Sequence, residues 1–335
     1  MKADEPILEV KKLKIYFGRG GFGGRRPALR AVDDVSLRVG HTETVGLVGE
    51  SGCGKTTLGR GILCLIPPTA GSIIFGGEEI SGFSQRRLRS VRPKMQMVFQ
   101  DPATALNPRM RIIESVRAPL KANGWGRTRA EQAAAEILET VGLGAEHYYR
   151  YPHEMSGGQR QRAVVARAVV LNPQLVVCDE PVSALDVSIR AQILNLMKDL
   201  QKARGLSYLF ISHDLSVVRY MCDRVLVMYL GRIVEAAAAE ELFAQPLHPY
   251  TRALLAAAPI PDIDLPAPTP PLSGEAPSPI HLPPGCRFAA RCPEVRPECR
   301  LREPEEKILP KGRMVRCVQA DGSICAGPAR LGGIK

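Results

Sequence analysis

The stretch Gly49-Glu50-Ser51-Gly52-Cys53-Gly54-Lys55-Thr56-Thr57 decides how the rest of the chain is read. It fits the pattern G-x-x-x-x-G-K-[ST]. The glycines let the backbone curl so that successive N–H groups point at phosphate oxygens, and a following helix adds the positive end of its dipole. In such a loop the Lys55 ammonium reaches the β- and γ-phosphates and the Thr56 hydroxyl ligates Mg²⁺. The flanks agree with this reading. Residues 43–48 (Glu, Thr, Val, Gly, Leu, Val) form a short apolar strand pattern, and residues 58–65 a helical one.

Further along, Leu175-Val176-Val177-Cys178-Asp179-Glu180 is an apolar strand ending in two carboxylates. Asp179 is placed to hold Mg²⁺ directly or through water. Glu180 is placed to take a proton from an attacking water, which is typically worth about 10²–10⁴ in rate. An isolated Asp-Glu pair after a strand equally suits a helix N-cap; the phosphate loop favours the chemical reading. Ser156-Gly157-Gly158-Gln159 opens a helical pattern running to about Leu171. Ser156 and Gln159 have capping-box spacing. The two glycines leave bare N–H groups at a positive helix end, a second phosphate-binding surface, although a plain capped helix competes as an explanation. Residues 208–211 read as another buried strand, and Ile189, Ile193, Leu196 and Leu200 recur at helical spacing. Thr128 and Glu131 form a capping box before a helix over 132–141. Alternating strands and helices predict an α/β fold: a mainly parallel sheet with helices on its faces.

Composition bounds the alternatives. The chain has 335 residues, 45% of them hydrophobic, which excludes wholesale disorder. No run approaches the roughly 18–20 apolar residues that span a bilayer. The first residues carry charge where a signal peptide has its apolar stretch, so a soluble cytosolic chain is expected. The formal charge of +11 suits nucleic acid, an anionic membrane surface or a phosphate-bearing ligand alike. A glycine-rich basic insertion covers 18–26. Of the 26 residues from Pro259 to Pro284, ten are proline, which reads as an extended linker after a globular unit of about 255 residues.

These motifs, in this order, resemble an ATP-binding cassette (ABC) ATPase over residues 7–256. The resemblance implies a P-loop fold with an antiparallel β subdomain and a helical subdomain at about 102–172, the whole cassette at 1–258. It makes 49–57 the Walker A loop, with Gly49, Ser51, Gly52, Cys53, Gly54, Lys55, Thr56 and Thr57 holding ATP. It makes 175–180 the Walker B strand, with Asp179 on Mg²⁺ and Glu180 catalytic. Gln100 is then the Q-loop glutamine, touching Mg²⁺ or the attacking water. Ser156, Gly157, Gly158 and Gln159 are the signature, which meets the ATP of a partner subunit. Ser183 and Asp186 belong to the D-loop, and His213 is the switch histidine near the γ-phosphate. Met155 stands where the signature commonly has leucine, an apolar residue of similar size. Tyr16 and Phe17 are both candidates to stack on adenine; the Leu13-Lys14 context favours Phe17.

A nucleic-acid machine of this family would usually show a coiled-coil insertion or a second cassette, and the sequence shows neither. Basic residues gather instead at Arg86, Arg87, Arg89, Arg92 and Lys94 and again from Arg109 to Arg129, around the Q-loop. In transporters this region receives the membrane subunits and faces anionic lipid. The finer resemblance is to dipeptide and oligopeptide importers, through His248-Pro249-Tyr250-Thr251-Arg252-Ala253-Leu254-Leu255 and the proline linker. The segments 179–188 and 205–215 resemble the second, F-type, of their two ATPases. The resemblance implies a heterodimer with a related D-type ATPase, two membrane permeases, an extracytoplasmic peptide-binding protein, and a place on the cytoplasmic face of the cell inner membrane. A soluble ABC ATPase acting on nucleic acid or ribosomes is the alternative.

Nine cysteines remain to be placed. Cys286, Cys292, Cys299 and Cys317 in the region 285–335 have five, six and seventeen intervening residues. Zn²⁺ sites usually show tighter pairs, whereas iron–sulfur clusters take four thiolates at varied spacings. Spacing leaves both open. The tail resembles that of peptide-importer ATPases, where these cysteines hold a [4Fe–4S] cluster, and a cluster would staple a tail too proline-rich to build its own core. Arg287, Arg291 and Arg300 would offset the thiolate charge, and Cys325 is left unligated.

Overall fold

The structure is a computed structural model that describes residues 5–18, 28–257 and 277–320. The basic insertion beyond Gly18, most of the proline linker and Cys325 lie outside the described residues. Two compact units are present. The first is built on Ile74–Ile211 with short stretches ending at Glu9 and over Arg38–Thr44; the second comprises Val10–Leu37, Val45–Ile73 and the chain from Ser212 onward.

In the first unit the strand Leu175–Asp179 lies between Met95–Val98 and Ser207–Ile211, parallel to both, with Cys178 opposite Val98 and Phe210. Every residue of Leu175–Asp179 and Ser207–Ile211 is buried. That is the continuous burial a strand covered on both faces requires. A run of helices extends from Pro102 to Val169. The helix expected at 132–141 instead begins at Arg127, with Gly126 at its N-cap. Thr128 and Glu131 therefore lie inside it, and Glu131 accepts a 2.7 Å bond from Arg117 rather than capping the helix. The helix Val187–Arg204 buries Ile193, Leu194, Met197 and Leu200, a stripe displaced by about one residue from the expected one, and stops at Gly205 with φ +64°.

In the second unit Thr44–Val48 runs parallel to Arg224–Tyr229, with Leu47 opposite Leu226. Arg224–Tyr229 pairs antiparallel with Arg232–Ala238. The C-terminal extension continues this sheet. Met314–Val315 pairs with Arg232–Ala238, Glu235 opposite Val315, and Lys307–Ile308 pairs with Met314–Val315. Another sheet of this unit places Leu8–Phe17 between Leu29–Val39 and Ala70–Phe75. Lys12, at φ +47°, shifts the alternation of Leu8–Phe17 so that Val10 and Leu13 are both buried.

The extension also contributes core. Phe288 is buried, with ring centroids 5.3 Å from Tyr229 and 5.4 Å from Tyr250. Arg313 donates to the fully buried Glu235 at 2.6 Å. The expectation that the tail depends on a staple for want of a core is corrected: it completes a core supplied by the rest of the unit.

Candidate active site

The strand Thr44–Val48 delivers the chain into the glycine-rich loop, and the helix Lys55–Ile62 leaves it. Two glycines here are dictated by close approach. A Cβ on Gly49 would stand 2.2 Å from the Met228 carbonyl oxygen, and one on Gly54 would stand 2.0 Å from that of Ala31. Gly54 also has φ +108°, a backbone region costly for any residue with a Cβ. Lys55 is buried, and its ammonium donates to the carbonyls of Gly49 at 2.7 Å and Glu50 at 2.9 Å. The loop thus carries its own positive charge, tied to carbonyls that a phosphate would replace. Burial pushes the Cys53 thiol up despite nearby Lys55, which leaves it an inert packing group.

Glu50 is held on three sides. Its N–H donates to the Tyr250 hydroxyl at 2.8 Å, and its carbonyl accepts from Lys55. Its carboxylate takes both terminal nitrogens of Arg291, at 2.8 and 2.9 Å. Neither Tyr250 nor Arg291 was legible as part of the loop, since each lies about 200 residues or more away in sequence.

Tyr16 and Phe17 separate clearly. The Tyr16 hydroxyl donates to Asp33, and burial together with that carboxylate pushes the phenol up to about 12. Phe17 is 38% exposed, a large apolar ring open on one side. Burial alone would raise Asp33, but Tyr16 and Arg287 hold its carboxyl below the usual range.

In the first unit the strand Leu175–Asp179 ends on a buried Asp179 carboxylate, followed by Glu180 at φ +48°. A left-handed backbone at a non-glycine residue is strain of the kind found at functional sites. It is fixed by the Glu180 N–H donating to the Ile211 carbonyl at 2.9 Å and by the Ser183 hydroxyl donating to the Glu180 carbonyl at 3.1 Å. Gln100 Nε2 donates to the Glu180 carboxylate at 2.9 Å. Structure therefore joins Gln100, Glu180 and Ser183. Asp186 is the N-cap residue of Val187–Arg204. His213, in the second unit, is exposed on a turn where Asp214 accepts from the Ser216 and Val217 N–H groups.

Ser156 and Gln159 form the reciprocal capping box, with bonds of 3.0 and 3.3 Å. Their two glycines differ. A Cβ on Gly158 would meet Ile189 Cγ2 at 2.6 Å, so helix packing demands that glycine. A Cβ on Gly157 would meet only Leu185, at an ordinary 3.6 Å. Among the described residues nothing requires Gly157 to be bare.

Among the described residues no group of three or more His, Cys, Asp or Glu side chains could hold a metal ion. Mg²⁺ does not need one, because it is usually held by one or two protein oxygens plus phosphates. A structural Zn²⁺ site does need one, so the described positions of Cys286, Cys292, Cys299 and Cys317 do not support zinc, the alternative to the expected cluster. The structure closes no cluster shell around these cysteines either. The four are free thiols. Burial, reinforced by the other three cysteines, pushes Cys286 up to about 11, and burial raises Cys292 and Cys317 as well. The expected pairing of arginines with thiolates is also corrected. Arg287 donates to Asp33 and, at 3.1 Å, to Glu303, while Arg291 is committed to Glu50.

Comparison with known proteins bears on the whole arrangement. A family model described as ABC transporter matches residues 32–183, and one described as oligopeptide/dipeptide transporter, C-terminal region, matches residues 234–299. The putative oligopeptide transport ATP-binding protein YkfD of Bacillus subtilis is 46% identical over 316 residues, 93% of this chain and 95% of that protein. A putative peptide import ATP-binding protein of Brucella ovis is 48% identical over 318 residues, 94% of this chain and 98% of that one. The oligopeptide transport ATP-binding protein AppF of Bacillus subtilis is 48% identical over 319 residues, covering 93% and 97%. Among solved structures, a dimeric post-hydrolysis form of the ATP-binding cassette MJ0796 bound to ADP and phosphate matches with TM-score 0.62 and 27% identity, over 69% of this chain and 98% of that one.

Proposed function

The chain belongs to the ABC transporter ATP-binding proteins, and on that premise we propose that it is the ATP-hydrolysing subunit of a peptide importer. The observation that carries hydrolysis is the Gln100–Glu180 hydrogen bond. It orients a carboxylate whose strained backbone already fixes its position at the end of a buried strand. Peptide cargo is supported by the names of the three relatives and by the match at residues 234–299. The same likeness does not favour a nucleic-acid or ribosome ATPase.

In the proposed mechanism the loop 49–57 receives the phosphates and Lys55 exchanges two loop carbonyls for phosphate oxygens. Phe17, the exposed ring, stacks on adenine, while Tyr16 serves the fold through Asp33. Asp179 and Thr56 would hold Mg²⁺, which would supply positive charge to offset the phosphates. Glu180 takes the proton of the attacking water, Gln100 orients that carboxylate, and His213 steadies the γ-phosphate.

Pairing with a second cassette rests on Gly157, a glycine that no described residue of its own chain requires, at the positive end of a capped helix. Placed against the partner's nucleotide it leaves room for a phosphate to reach the backbone N–H groups. Two permeases and an extracytoplasmic peptide-binding protein complete the system. No described helix is long and apolar enough to cross a membrane, which suits a subunit bound peripherally to the cytoplasmic face of the inner membrane. For the tail, the resemblance alone supports a [4Fe–4S] cluster, tested by iron content and visible absorption of anaerobically purified protein.

The function is tested by reconstituting this chain with its co-purifying permeases and second ATPase in lipid vesicles. ATP-driven peptide uptake that is lost with Glu180→Gln is expected. Co-purification with DNA or ribosomes instead of permeases refutes the reading.

A further inference from the structure

The Arg291–Glu50 pair joins the C-terminal extension to the phosphate-binding loop of the same unit. Both partners are largely shielded, with 7% of the Arg291 side chain and 27% of the Glu50 side chain exposed. The two N–H···O contacts form a fork-to-fork pair, the strongest and most directional ion-pair geometry available to arginine. Arg291 is itself well anchored. Its N–H donates to the Phe288 carbonyl at 3.0 Å, and Phe288 packs on Tyr229 and Tyr250. Tyr250 in turn holds the Glu50 N–H. One aromatic cluster therefore braces both ends of the contact.

Glu50 lies immediately after Gly49, in a loop built to receive an anion. An unpaired carboxylate there repels phosphate, and in a partly buried setting that repulsion is weakly screened. Glu50 also supplies one of the two carbonyls that hold Lys55. Its placement therefore affects both the charge of the loop and the position of the lysine.

We infer that Arg291 is a positioning residue for nucleotide binding: from the C-terminal extension it neutralises Glu50 and fixes the loop that presents Lys55. This rests on the nucleotide-binding reading above. It makes the extension a brace on the nucleotide site as well as an appendage of the sheet. Nucleotide affinity, rather than the chemical step, is what the brace sets.

The test measures the dissociation constant of a fluorescent ATP analogue with Mg²⁺ on the full chain, for wild type, Arg291→Ala, Arg291→Lys and the double variant Glu50→Gln/Arg291→Ala. Values are normalised to the folded fraction from circular dichroism. Arg291→Ala is expected to weaken binding about tenfold, within the range of coupled neighbours. Arg291→Lys, which keeps the charge but loses the fork, recovers part of that loss. The double variant, lacking the carboxylate charge, recovers part as well. In the reconstituted transporter Arg291→Ala raises KM for ATP with kcat little changed. If folded Arg291→Ala binds within twofold of wild type, or if only its melting temperature changes, the inference is overturned. If wild type fails to bind Mg-ATP, the underlying nucleotide-binding reading is overturned instead.

Discussion

Replacing Arg313 by methionine tests whether the extension is integral to the second unit. Glu235 is fully buried, and its carboxylate accepts three bonds: from Arg313 at 2.6 Å and from the Leu247 and His248 N–H groups, both at 2.9 Å. Methionine keeps the unbranched stem and removes the charge. Removing one partner of a buried ion pair costs about 3–5 kcal/mol, because the other charge stays behind. Two backbone donors remain here, so the lower end applies, about 3 kcal/mol. At about 2–4 °C per kcal/mol for chains of 150–250 residues, the melting temperature should fall by about 6–12 °C. Lys311 is the internal control. It also lies in the extension, but its side chain is 79% exposed and its pair with Glu241 spans 2.9 Å. Such pairs contribute about 0–1 kcal/mol, so Lys311→Met should shift the transition little. Thermal unfolding followed by circular dichroism at neutral pH distinguishes the two. If Arg313→Met melts no lower than Lys311→Met, the extension is not held as described.

Glu180→Gln should bind ATP as well as wild type and accumulate a closed pair of cassettes, read by size-exclusion chromatography with Mg-ATP; normal turnover would remove Glu180 from its role. Gly158→Ala should destabilise the fold by about 1–3 kcal/mol, because its Cβ collides with Ile189, whereas Gly157→Ala should leave the melting temperature unchanged and lower ATPase activity of the assembled pair. His248 is buried, its Nδ1 accepts the Tyr250 N–H at 3.0 Å, and burial lowers its pKa to about 3. The folded state keeps it neutral while the unfolded chain takes up a proton below about pH 6.5, so stability should fall by about 1.4 kcal/mol per pH unit on acidification between those values. Urea titrations at pH 7 and pH 5 measure that slope, and His248→Asn should flatten it.

Local chemistry made much of this molecule legible. The strand expected at 43–48 is Thr44–Val48, and that at 208–211 is Ser207–Ile211. An apolar run between turns leaves a buried strand little freedom. The Ser156 capping box formed because its partners are three residues apart and serve each other. The Thr128 box failed although its spacing was equally good, because Arg117 offered Glu131 a charged partner across the helix pair. Capping signals are thus decisive only when no tertiary partner competes for the side chain.

The extension was the least legible part, for a related reason. Its strands are two residues long, too short to show a period, and its arginines sit among cysteines, which invites a local pairing of charge. The structure instead sends Arg287 to Asp33 and Arg291 to Glu50, 254 and 241 residues away. Such partners leave no mark within any sequence window, yet they follow from a simple requirement. Asp33 and Glu50 are shielded carboxylates, and a shielded charge must be paired. The extension supplies the Arg291 fork to Glu50 and, beside Arg30 and Arg232 at 3.9 Å, the shortest pair to Asp33. A chain truncated before Gly285 would leave the phosphate loop with an uncompensated carboxylate beside the nucleotide's own charge, so loss of the extension should weaken nucleotide binding even where the cassette still folds.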